Sequence, residues 1–494
     1  MTSRSTVGVR MRRRLSYVLG ATTVAVGVAM VPAGGMSLLY REWDDAAGIF
    51  AAAVITIVAG LIGWRVVGRP GALTAKEGFA VVGLTWFVIS GFAALPYLLT
   101  GSIPSVTDAV FESASGFTTT GASILVSPST LPRGVLFWRS LTQWIGGMGI
   151  IVLSIAILPL LGVGGVQLAR AESPGPAPDR LTPRFQETAK RLWILYAAIT
   201  LVQTALLLLG DMDLFQAVNH AFTTMSTGGF GTEHTSIAGF SPYTQWVVTV
   251  FMFVAGASFA LHFRALRAPG EYLRSAEFRL YAFIALGAIV VTTGGLLGPG
   301  VSFGDALRDG AFTSLSILTT TGFATADFGA WRPALQILVF GLMFMGGMAG
   351  STAGSVKTYR VGVLAKAALA DLRRIVHPRG VFVTRFGKTP VRDPIVESIQ
   401  SFFLFYVFIF LAGTFLLGFI DANLTEQLDL VTAASAVASS IGNIGPGLGD
   451  VVGPTGTYAS IPGPGKWLLA LLMIVGRLEV FPVLLLFTRD LWRR

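Results

Sequence analysis

Four stretches of the chain combine small residues, hydroxyl groups and a terminal glycine in the same order. Each is about three helical turns of small and apolar residues that end in a polar tip. Backbone carbonyl oxygens at such a tip can replace the water shell of a cation, and glycine permits the backbone angles that turn successive carbonyls toward one axis. One copy would be uninformative, because a helix end or a surface turn has the same composition. The glycines that end the four tips are Gly121, Gly229, Gly322 and Gly445.

The chain offers little material for enzymatic or metal chemistry. It has no cysteine, which excludes disulfides, thiol catalysis and thiolate-bound metals. A membrane enzyme would need an acid, a base or a metal cluster that converge in one place, and Arg477 with Glu479 make no such site. The sequence therefore predicts neither an enzyme nor a resident cofactor. No zinc-ligand spacing of the H-E-x-x-H kind is present among the four histidines, His220, His234, His262 and His377.

The elements that must position the four tips are membrane helices. The 494-residue chain is 53% hydrophobic and only 13% charged, with a mean hydropathy of +0.69, whereas soluble domains are about 25% charged. This excludes a cytosolic enzyme, a disordered protein and a secreted disulfide scaffold. A crossing needs about 20 apolar residues, and ten segments qualify. They lie at 15–39, 46–66, 77–99, 134–168, 188–210, 243–266, 278–298, 333–369 (interrupted), 395–420 and 466–488.

The N-terminus resembles a signal peptide, with four arginines before an apolar run. The run reaches about 25 residues, which exceeds the usual signal core of about 7–15. We therefore expect an uncleaved first helix.

The charge distribution predicts the orientation of these spans. Six regions hold 28 of the 36 basic residues, and the loops between them are acidic. This alternation fits ten crossings with both termini in the cytoplasm, so the net charge of +10 indicates sidedness and not a nucleic-acid partner. The acidic loops are either plain external loops or a means of drawing cations to an outer vestibule. The six basic regions are 4–14, 65–76, 170–191, 264–279, 360–392 and 489–494.

The four tips also reveal an internal repeat. Each tip lies between two predicted spans on the acidic side, and the tip glycines are 108, 93 and 123 residues apart. A unit of helix, short helix, loop and helix thus occurs four times after two N-terminal helices. Non-helical backbone at membrane depth is tolerated only inside protein or along a watery cavity, so we expect the loops to meet around one axis. Major-facilitator transporters lack such loops, and a structural scaffold has no use for them.

Several longer motifs resemble the Trk/Ktr/HKT superfamily of potassium transporters, and the TrkH branch most closely. The resemblance covers nearly the whole chain. It implies an all-α polytopic membrane protein of the bacterial inner membrane, with two N-terminal helices and four fused M1–P–M2 units around a pseudo-fourfold pore, and it implies a homodimer. The motifs are RSLTQWIGGMGI at 139–150, LPLLGVGG at 158–165, GSTAGSVK at 350–357, NIGPGLG at 443–449 and GRLEVF at 476–481. The expected divisions are 1–70 for the helix pair and 71–170, 171–270, 271–385 and 386–494 for the units.

The resemblance implies that the tips form a potassium selectivity filter. In this superfamily a serine at the first filter glycine accompanies sodium permeation, and this chain has glycine at all four positions. Potassium is therefore the expected ion, with rubidium as a substitute. The fourth tip departs most from the pattern. The implied filter residues are Thr119, Thr120 and Gly121; Thr227, Gly228 and Gly229; Thr320, Thr321 and Gly322; and Asn443, Ile444 and Gly445.

A glycine-rich stretch at 346–355 interrupts the eighth span. It either permits close packing through small residues or forms an intramembrane loop that obstructs the pore, as the resemblance implies. Arg477 lies near the middle of the last span, where a charge costs about 2.5–3.5 kcal/mol. It either pairs with a carboxylate such as Glu479 or faces the pore as a barrier beside the loop. The expected gate residues are Gly346, Gly347, Gly350, Ser351, Thr352, Ala353, Gly354 and Arg477.

The cytoplasmic loop at 373–392 is strongly basic. Positive-inside charge and contact with anionic lipid explain it, and the resemblance adds a TrkA-like cytosolic subunit that binds nucleotides and controls the gate. The chain has no G-x-G-x-x-G unit of its own between a strand and a helix, so a nucleotide response requires another chain. The sequence leaves open whether ions flow as in a channel or are coupled to protons or sodium.

Overall fold

The structure, a computed structural model, describes residues 3–65, 75–156 and 183–492, and this part of the chain is mostly helical. Two pairs of two-residue strands accompany the helices: β1 (Met345–Gly346) is parallel to β2 (Val356–Lys357), and β3 (Arg385–Phe386) is antiparallel to β4 (Thr389–Pro390). The helices are α1 (Ser3–Leu39), α2 (Trp43–Arg65), α3 (Ala75–Ala93), α4 (Leu95–Leu99), α5 (Val106–Phe117), α6 (Arg133–Ala156), α7 (Pro183–Leu208), α8 (Leu214–Met225), α9 (Pro242–Ala255), α10 (Phe259–Ala265), α11 (Glu271–Arg274), α12 (Ala276–Leu296), α13 (Phe303–Leu318), α14 (Pro333–Leu342), α15 (Thr358–Val376), α16 (Asp393–Leu424), α17 (Leu430–Gly442), α18 (Gly449–Val452), α19 (Gly463–Arg477), α20 (Phe481–Leu486) and α21 (Arg489–Trp492).

Six of the ten predicted spans are long apolar helical segments within the described residues, and the third of them is interrupted only at Ala94, between α3 and α4. They are the two N-terminal helices and the first helix of each repeat unit. The N-terminal pair packs closely through small residues: an ideal Cβ on Gly60 would lie 2.7 Å from the backbone nitrogen of Val24. The six segments long and apolar enough to cross a bilayer are 13–39, 43–65, 76–99, 187–208, 276–296 and 393–424.

The second helices of the units differ from the predicted single spans. The segment 243–266 is two helices, α9 and α10, at an angle of 98°. The segment 333–369 is α14 and α15, joined by a loop with the strands β1 and β2, and 466–488 is α19 and α20. The segment 134–168 begins as α6, and its part beyond residue 156 lies outside the described residues, as does the motif at 158–165.

Local backbone geometry explains two of these breaks. Helix α9 ends at Ala255, with Gly256 as its C-cap. The break before α10 contacts another segment, because the backbone nitrogen of Phe259 donates to the carbonyl of Gly350. Between α19 and α20, Glu479 and Val480 both have positive φ, and the backbone nitrogen of Phe481 donates to the carbonyl of Glu479 in a tight turn. Hydropathy continues across both breaks, so apolar composition predicts spans that are longer than the actual helices.

The four short helices predicted between the spans are present as α5, α8, α13 and α17, and we call them the pore helices. Each begins at a residue whose side chain accepts a hydrogen bond from the backbone nitrogen three residues later, which satisfies one donor of the first turn. These N-cap residues are Ser105, Asp213, Ser302 and Asp429. The second helix of one unit packs on the pore helix of the next, as in the pairs α6 and α8, α9 and α13, and α19 and α5.

The predicted unit boundaries fall at different kinds of position. Those at 70/71 and 170/171 lie outside the described residues. The boundary at 270/271 precedes α11, and the one at 385/386 falls inside strand β3, in the hairpin between α15 and α16.

Helix packing at the pore helices predicts a strong penalty for a methyl group at Gly476. An ideal Cβ there would lie 1.9 Å from the carbonyl oxygen of Ile441 at the end of α17, whereas Gly418 in α16 has open space around this position. We expect Gly476→Ala to destabilise the protein by about 1–3 kcal/mol. The matched Gly418→Ala should be neutral or stabilise by up to about 1 kcal/mol. Thermal unfolding of the purified protein in detergent measures both, and equal midpoints for the two variants would contradict this packing.

Candidate cation site

The four pore helices end in the same backbone conformation. The residue after each C-terminal turn is left-handed, with φ between 53° and 58° in all four copies, and the glycine two residues later also has positive φ. In each copy, the left-handed residue donates to the carbonyl three residues back and the next residue to the one five back, which is the Schellman arrangement. The left-handed residues are Thr119, Thr227, Thr320 and Asn443.

Three of these four positions hold a residue that resists this conformation. Left-handed backbone is unusual for β-branched side chains such as threonine and is tolerated by asparagine. All four residues are fully buried, so the surrounding packing must hold them in place. Backbone strain of this kind clusters at functional sites. The conformation also explains the departure of the fourth tip, since Asn443 occupies the left-handed position that Thr119 occupies in the first.

The tip glycines form a closed ring of contacts between the units. An ideal Cβ on each glycine would collide with, or closely approach, the carbonyl oxygen of the middle residue of the next tip, so no side chain fits. The order is first to second, second to third, third to fourth and fourth to first, as the predicted common axis requires. The distances are 2.1 Å from Gly121 to Gly228, 1.9 Å from Gly229 to Thr321, 1.8 Å from Gly322 to Ile444 and 2.9 Å from Gly445 to Thr120.

The backbone carbonyls of the ring fall into two groups. Among the described residues, none donates a hydrogen bond to the carbonyls of the four left-handed residues, which leaves buried oxygens available to a cation. Two other carbonyls of the ring are held by the surrounding wall. The oxygen of Gly445 accepts from the hydroxyls of Ser439 and Tyr458, at 2.7 and 2.8 Å, and the oxygen of Gly228 accepts from Gln143 at 2.7 Å.

A buried ion pair supports the first two tips. Arg139 and Glu112 are 2% and 0% exposed and 2.8 Å apart. Glu112 also accepts from the backbone nitrogen of Ile124 at 3.0 Å, and Arg139 donates to the carbonyl of Gly231 at 3.2 Å. The guanidinium lies 4.0 Å from the ring centre of Phe230. One side chain from α6 therefore joins the segments that follow tips one and two.

Most acidic residues of the predicted vestibule have structural partners. Besides Glu112, Asp108 binds Lys466 at 2.6 Å and Asp305 binds Arg308 at 2.8 Å. Asp213 and Asp429 cap pore helices. These contacts favour the plainer of the two interpretations of the acidic loops, in which their charge serves sidedness and local structure.

The loop at 346–355 lies against the ends of three pore helices. The backbone nitrogen of Gly354 donates to the hydroxyl of Thr320 at 2.7 Å, and the hydroxyl of Thr352 donates to the carbonyl of Met225 at 3.1 Å. An ideal Cβ on Gly354 would lie 2.2 Å from the carbonyl oxygen of Gly442. The loop thus contacts units two, three and four on the side where the pore helices end. The ring's other side opens into a pocket lined by residues that follow the tips, such as Ser123 and Tyr458.

The glycines of this loop allow close backbone contact, and its other residues are fixed by hydrogen bonds. An ideal Cβ on Gly346 would lie 2.1 Å from the carbonyl oxygen of Gly354, and one on Gly347 would lie 2.4 Å from that of Gly256. Gly350 has positive φ, and Ser351 donates to the carbonyl of Met348. Ala353 accepts a hydrogen bond from the side chain of Lys357.

Arg477 completes the contact with the first unit. Its guanidinium donates to the carbonyl of Thr352 at 2.7 Å and to that of Gly146, on α6, at 3.3 Å. The side chain is 2% exposed and forms no ion pair within the described part of the chain. The possible partner Glu479 binds Arg360 instead. The cation therefore stands beside the loop without a direct counter-charge, which favours the second of the two sequence interpretations.

Sequence reasoning missed the side chains that hold the tips from behind. These side chains are Glu112, Arg139 and Gln143, and some of their partners are distant in the sequence. The presence of a polar residue on an apolar helix does not reveal which residue it contacts. One signal was present. The second tip has glycine at residue 228, where the other tips have threonine or isoleucine, and Gln143 fills the space of that absent side chain.

These features define the class of the protein: an all-α polytopic membrane protein in which four loops meet at one ring. The sequence profile of the TrkH family, described as a cation transport protein, matches residues 47–493. The chain belongs to the TrkH family of cation transport proteins, which is not a family of enzymes.

Individual relatives agree with this assignment. The chain is 37% identical over 488 residues to the Trk system potassium uptake protein TrkH of Halomonas elongata, across 98% of this chain and 99% of that protein. The TrkH of Escherichia coli strain K12 is 37% identical over 489 residues, with coverage of 97% and 99%. The crystal structure of the potassium transporter TrkH from Vibrio parahaemolyticus matches with a TM-score of 0.89 at 34% identity, and the match covers 97% of this chain and 99% of that one.

The buried pair predicts a large stability effect at Glu112. Glu112→Gln leaves the Arg139 charge buried without its partner, and we expect a loss of about 3–5 kcal/mol. Asp305→Asn, which removes an exposed carboxylate that pairs with the partly buried Arg308, is the control and should leave stability nearly unchanged. Thermal unfolding in detergent compares the two, and a Glu112→Gln midpoint equal to the control would disprove the supporting role of the pair.

Proposed function

We propose that this protein takes up potassium ions across the bacterial inner membrane, with the four tips as its selectivity filter. The observation that carries the proposal is the ring in which each tip glycine abuts the carbonyl of the next tip. The buried carbonyls of the left-handed residues replace the water shell of the ion. The relatives named as potassium transporters support the choice of ion, and rubidium is its expected substitute.

The glycines account for selectivity in this proposal. Carbonyl ligands select between ions through their number, field strength and spacing, and a side chain at a tip glycine would displace the adjacent carbonyl. The expected ion ligands are the carbonyls of the twelve tip residues predicted from the sequence, except where the wall already binds an oxygen, as at Gly228 and Gly445.

The loop at 346–355 and Arg477 form the proposed gate. The loop contacts units two, three and four, and Arg477 joins it to unit one. These contacts support the proposal that the loop obstructs the path of the ion below the ring. An arginine there that forms no ion pair among the described residues also repels a permeating cation. Opening requires the loop to leave Thr320 and Arg477 to release its two carbonyls.

The remaining parts of the proposal rest on charge and family resemblance. The basic regions, including the exposed residues of 373–392, support a cytoplasmic position for both termini through the positive-inside rule. We expect a homodimer in the lipid bilayer and a TrkA-like cytosolic subunit that binds nucleotides and moves the gate. The proposed units are 71–170, 171–270, 271–385 and 386–494 after the N-terminal pair at 1–70, and nucleic acid is not an expected partner.

The filter is tested by a matched pair of glycine substitutions. Gly121→Ser places a Cβ 2.1 Å from the carbonyl oxygen of Gly228, whereas Gly300 has nearly the same φ, +83° against +82°, and no neighbour within 4 Å. We expect Gly121→Ser to lower the ratio of rubidium to sodium uptake into liposomes by about tenfold, as expected for a loss of about 1.4 kcal/mol. Gly300→Ser should keep the ratio, and an unchanged ratio in Gly121→Ser would refute the filter assignment.

The gate is tested by removing the Arg477 charge. We expect Arg477→Met to raise rubidium uptake by the protein alone about tenfold or more, because a barrier of about 1.4 kcal/mol slows passage tenfold. Arg477→Lys keeps the charge with fewer donors and should give a smaller increase. Arg267→Met, at an exposed site, is the control. A gate role for Arg477 is excluded if the three variants have equal uptake.

A further inference from the structure

A side chain of another unit holds the carbonyl at the middle of tip two. Gln143, on α6, donates from Nε2 to the carbonyl oxygen of Gly228 at 2.7 Å and accepts from the backbone nitrogen of Phe230 at 3.1 Å. Its amide thus binds both the acceptor and the donor of one backbone segment. The side chain is fully buried, so water does not compete for these hydrogen bonds.

The same position in the other three units is apolar. Three short 3-10 segments, at 128–130, 328–330 and 458–460, precede the second helices by the same number of residues, which aligns units one, three and four. The eleventh residue of α6 is Gln143. Counted from the first residue of each second helix, the eleventh position is a methionine in α9, in α19 and directly after the last residue of α14. These are Met252, Met343 and Met473, all fully buried.

The methionines pack on the next unit through apolar contacts. Met343 shares a hydrophobic cluster with Ile444 of tip four, and Met473 shares one with Phe111 and Ala122 of unit one. At the junction of units one and two the apolar contact is replaced. Gly228 has no side chain, and an ideal Cβ on it would lie 2.4 Å from the amide carbon of Gln143. The side chain of Gln143 thus fills the space beside Gly228. At the junction of units three and four, Met343 and Ile444 share the corresponding space.

The carbonyl of Gly228 lies between two groups. On one side Gln143 donates to it, and on the other it faces Gly121 so closely that a Cβ there would be 2.1 Å away. If the donor is removed, this carbonyl can rotate, since glycine has few backbone restrictions. Rotation changes the contact between tips one and two and the direction of the adjacent Thr227 carbonyl, which no described residue binds.

We infer that Gln143 is a positioning residue for ion selectivity, which holds tip two against tip one through the Gly228 carbonyl. The inference deepens the proposed potassium transport and rests on it. Gln143 contacts no ion itself, and Arg139, one turn earlier on α6, holds the following residues of the same segment through Gly231. At this junction the residue at the eleventh position of the second helix gives polar, directional support to a tip carbonyl, whereas the methionines at the same position of the other units provide non-directional packing.

The test is Gln143→Met, which gives unit one the residue of the other units at similar volume. We expect the preference for potassium over sodium to fall roughly fivefold to tenfold, the equilibrium factor of one lost buried hydrogen bond. The matched control is Gln203→Met in α7, because Gln203 is also fully buried and neither of its amide atoms has a hydrogen-bond partner among the described residues. The control should keep the preference of the unmodified protein.

Two readouts are measured on the full-length protein. One is rubidium against sodium uptake into liposomes, in an Arg477→Met background so that the gate does not hide the filter. The other readout is the rise in unfolding temperature that potassium produces in detergent, compared with the rise that sodium produces. This comparison reports ion binding without flux. A purely structural role would lower the unfolding temperature in both salts and leave the preference unchanged.

The outcomes separate this inference from the function on which it rests. If the unmodified protein prefers potassium and Gln143→Met retains that preference in full, the inference is wrong and the proposed function stands. If the unmodified protein shows no preference by either readout, both fail. If Gln143→Met does not fold, Gly228→Ala disturbs the same contact from the other side. It must then lower the preference, and an unchanged preference in that variant overturns the inference.

Discussion

The structure depends on one steric constraint: at each of four glycines the backbone carbonyl of the neighbouring tip takes the space of a side chain. Because the contact is cyclic, no tip can move without displacing the next. The pore helices that carry the tips must then approach the second helices closely, and glycines at these crossings meet the constraint. Gly146 abuts the carbonyl of Phe117, the last residue of α5. Gly476 abuts the carbonyl of Ile441, the last residue but one of α17.

The ring also explains why unfavourable backbone is retained. A left-handed threonine costs of order 1–3 kcal/mol, and three of the four copies carry one. The Schellman hydrogen bonds and complete burial hold these residues in place. A conformation that an isolated loop would rarely adopt thus becomes a fixed part of the fold, and it leaves four carbonyl oxygens without internal donors among the described residues. Rigidity is what a site needs if it is to distinguish ions by the spacing of its ligands.

Sequence reasoning predicted the elements with local signals and missed those that depend on tertiary contact. The glycine tips, the short helices and the first helix of each unit follow from composition and repetition. The break at Glu479 and Val480 does not, because two residues with positive φ have no compositional signature in an apolar segment. The partner of Arg477 was left open for a similar reason: Glu479 is two residues away, yet it binds Arg360 from a different helix. The contact of Gln143 with Gly228 spans 85 residues, and no periodicity within one helix reveals it.

The pseudo-fourfold arrangement is used asymmetrically. Polar side chains of unit one, Arg139 and Gln143, hold the junction of tips one and two. The loop at 346–355 contacts the ends of the other three pore helices, and its hydrogen bond to Thr320 reaches tip three itself. Any movement of this loop must therefore change the surroundings of tip three, while the junction of tips one and two keeps its supports. A protein with four identical units could not separate these tasks, because a loop attached to every tip would disturb the whole ring when it moved. Fusion of the units in one chain allows one junction to be stiffened and another to be linked to the loop at 346–355.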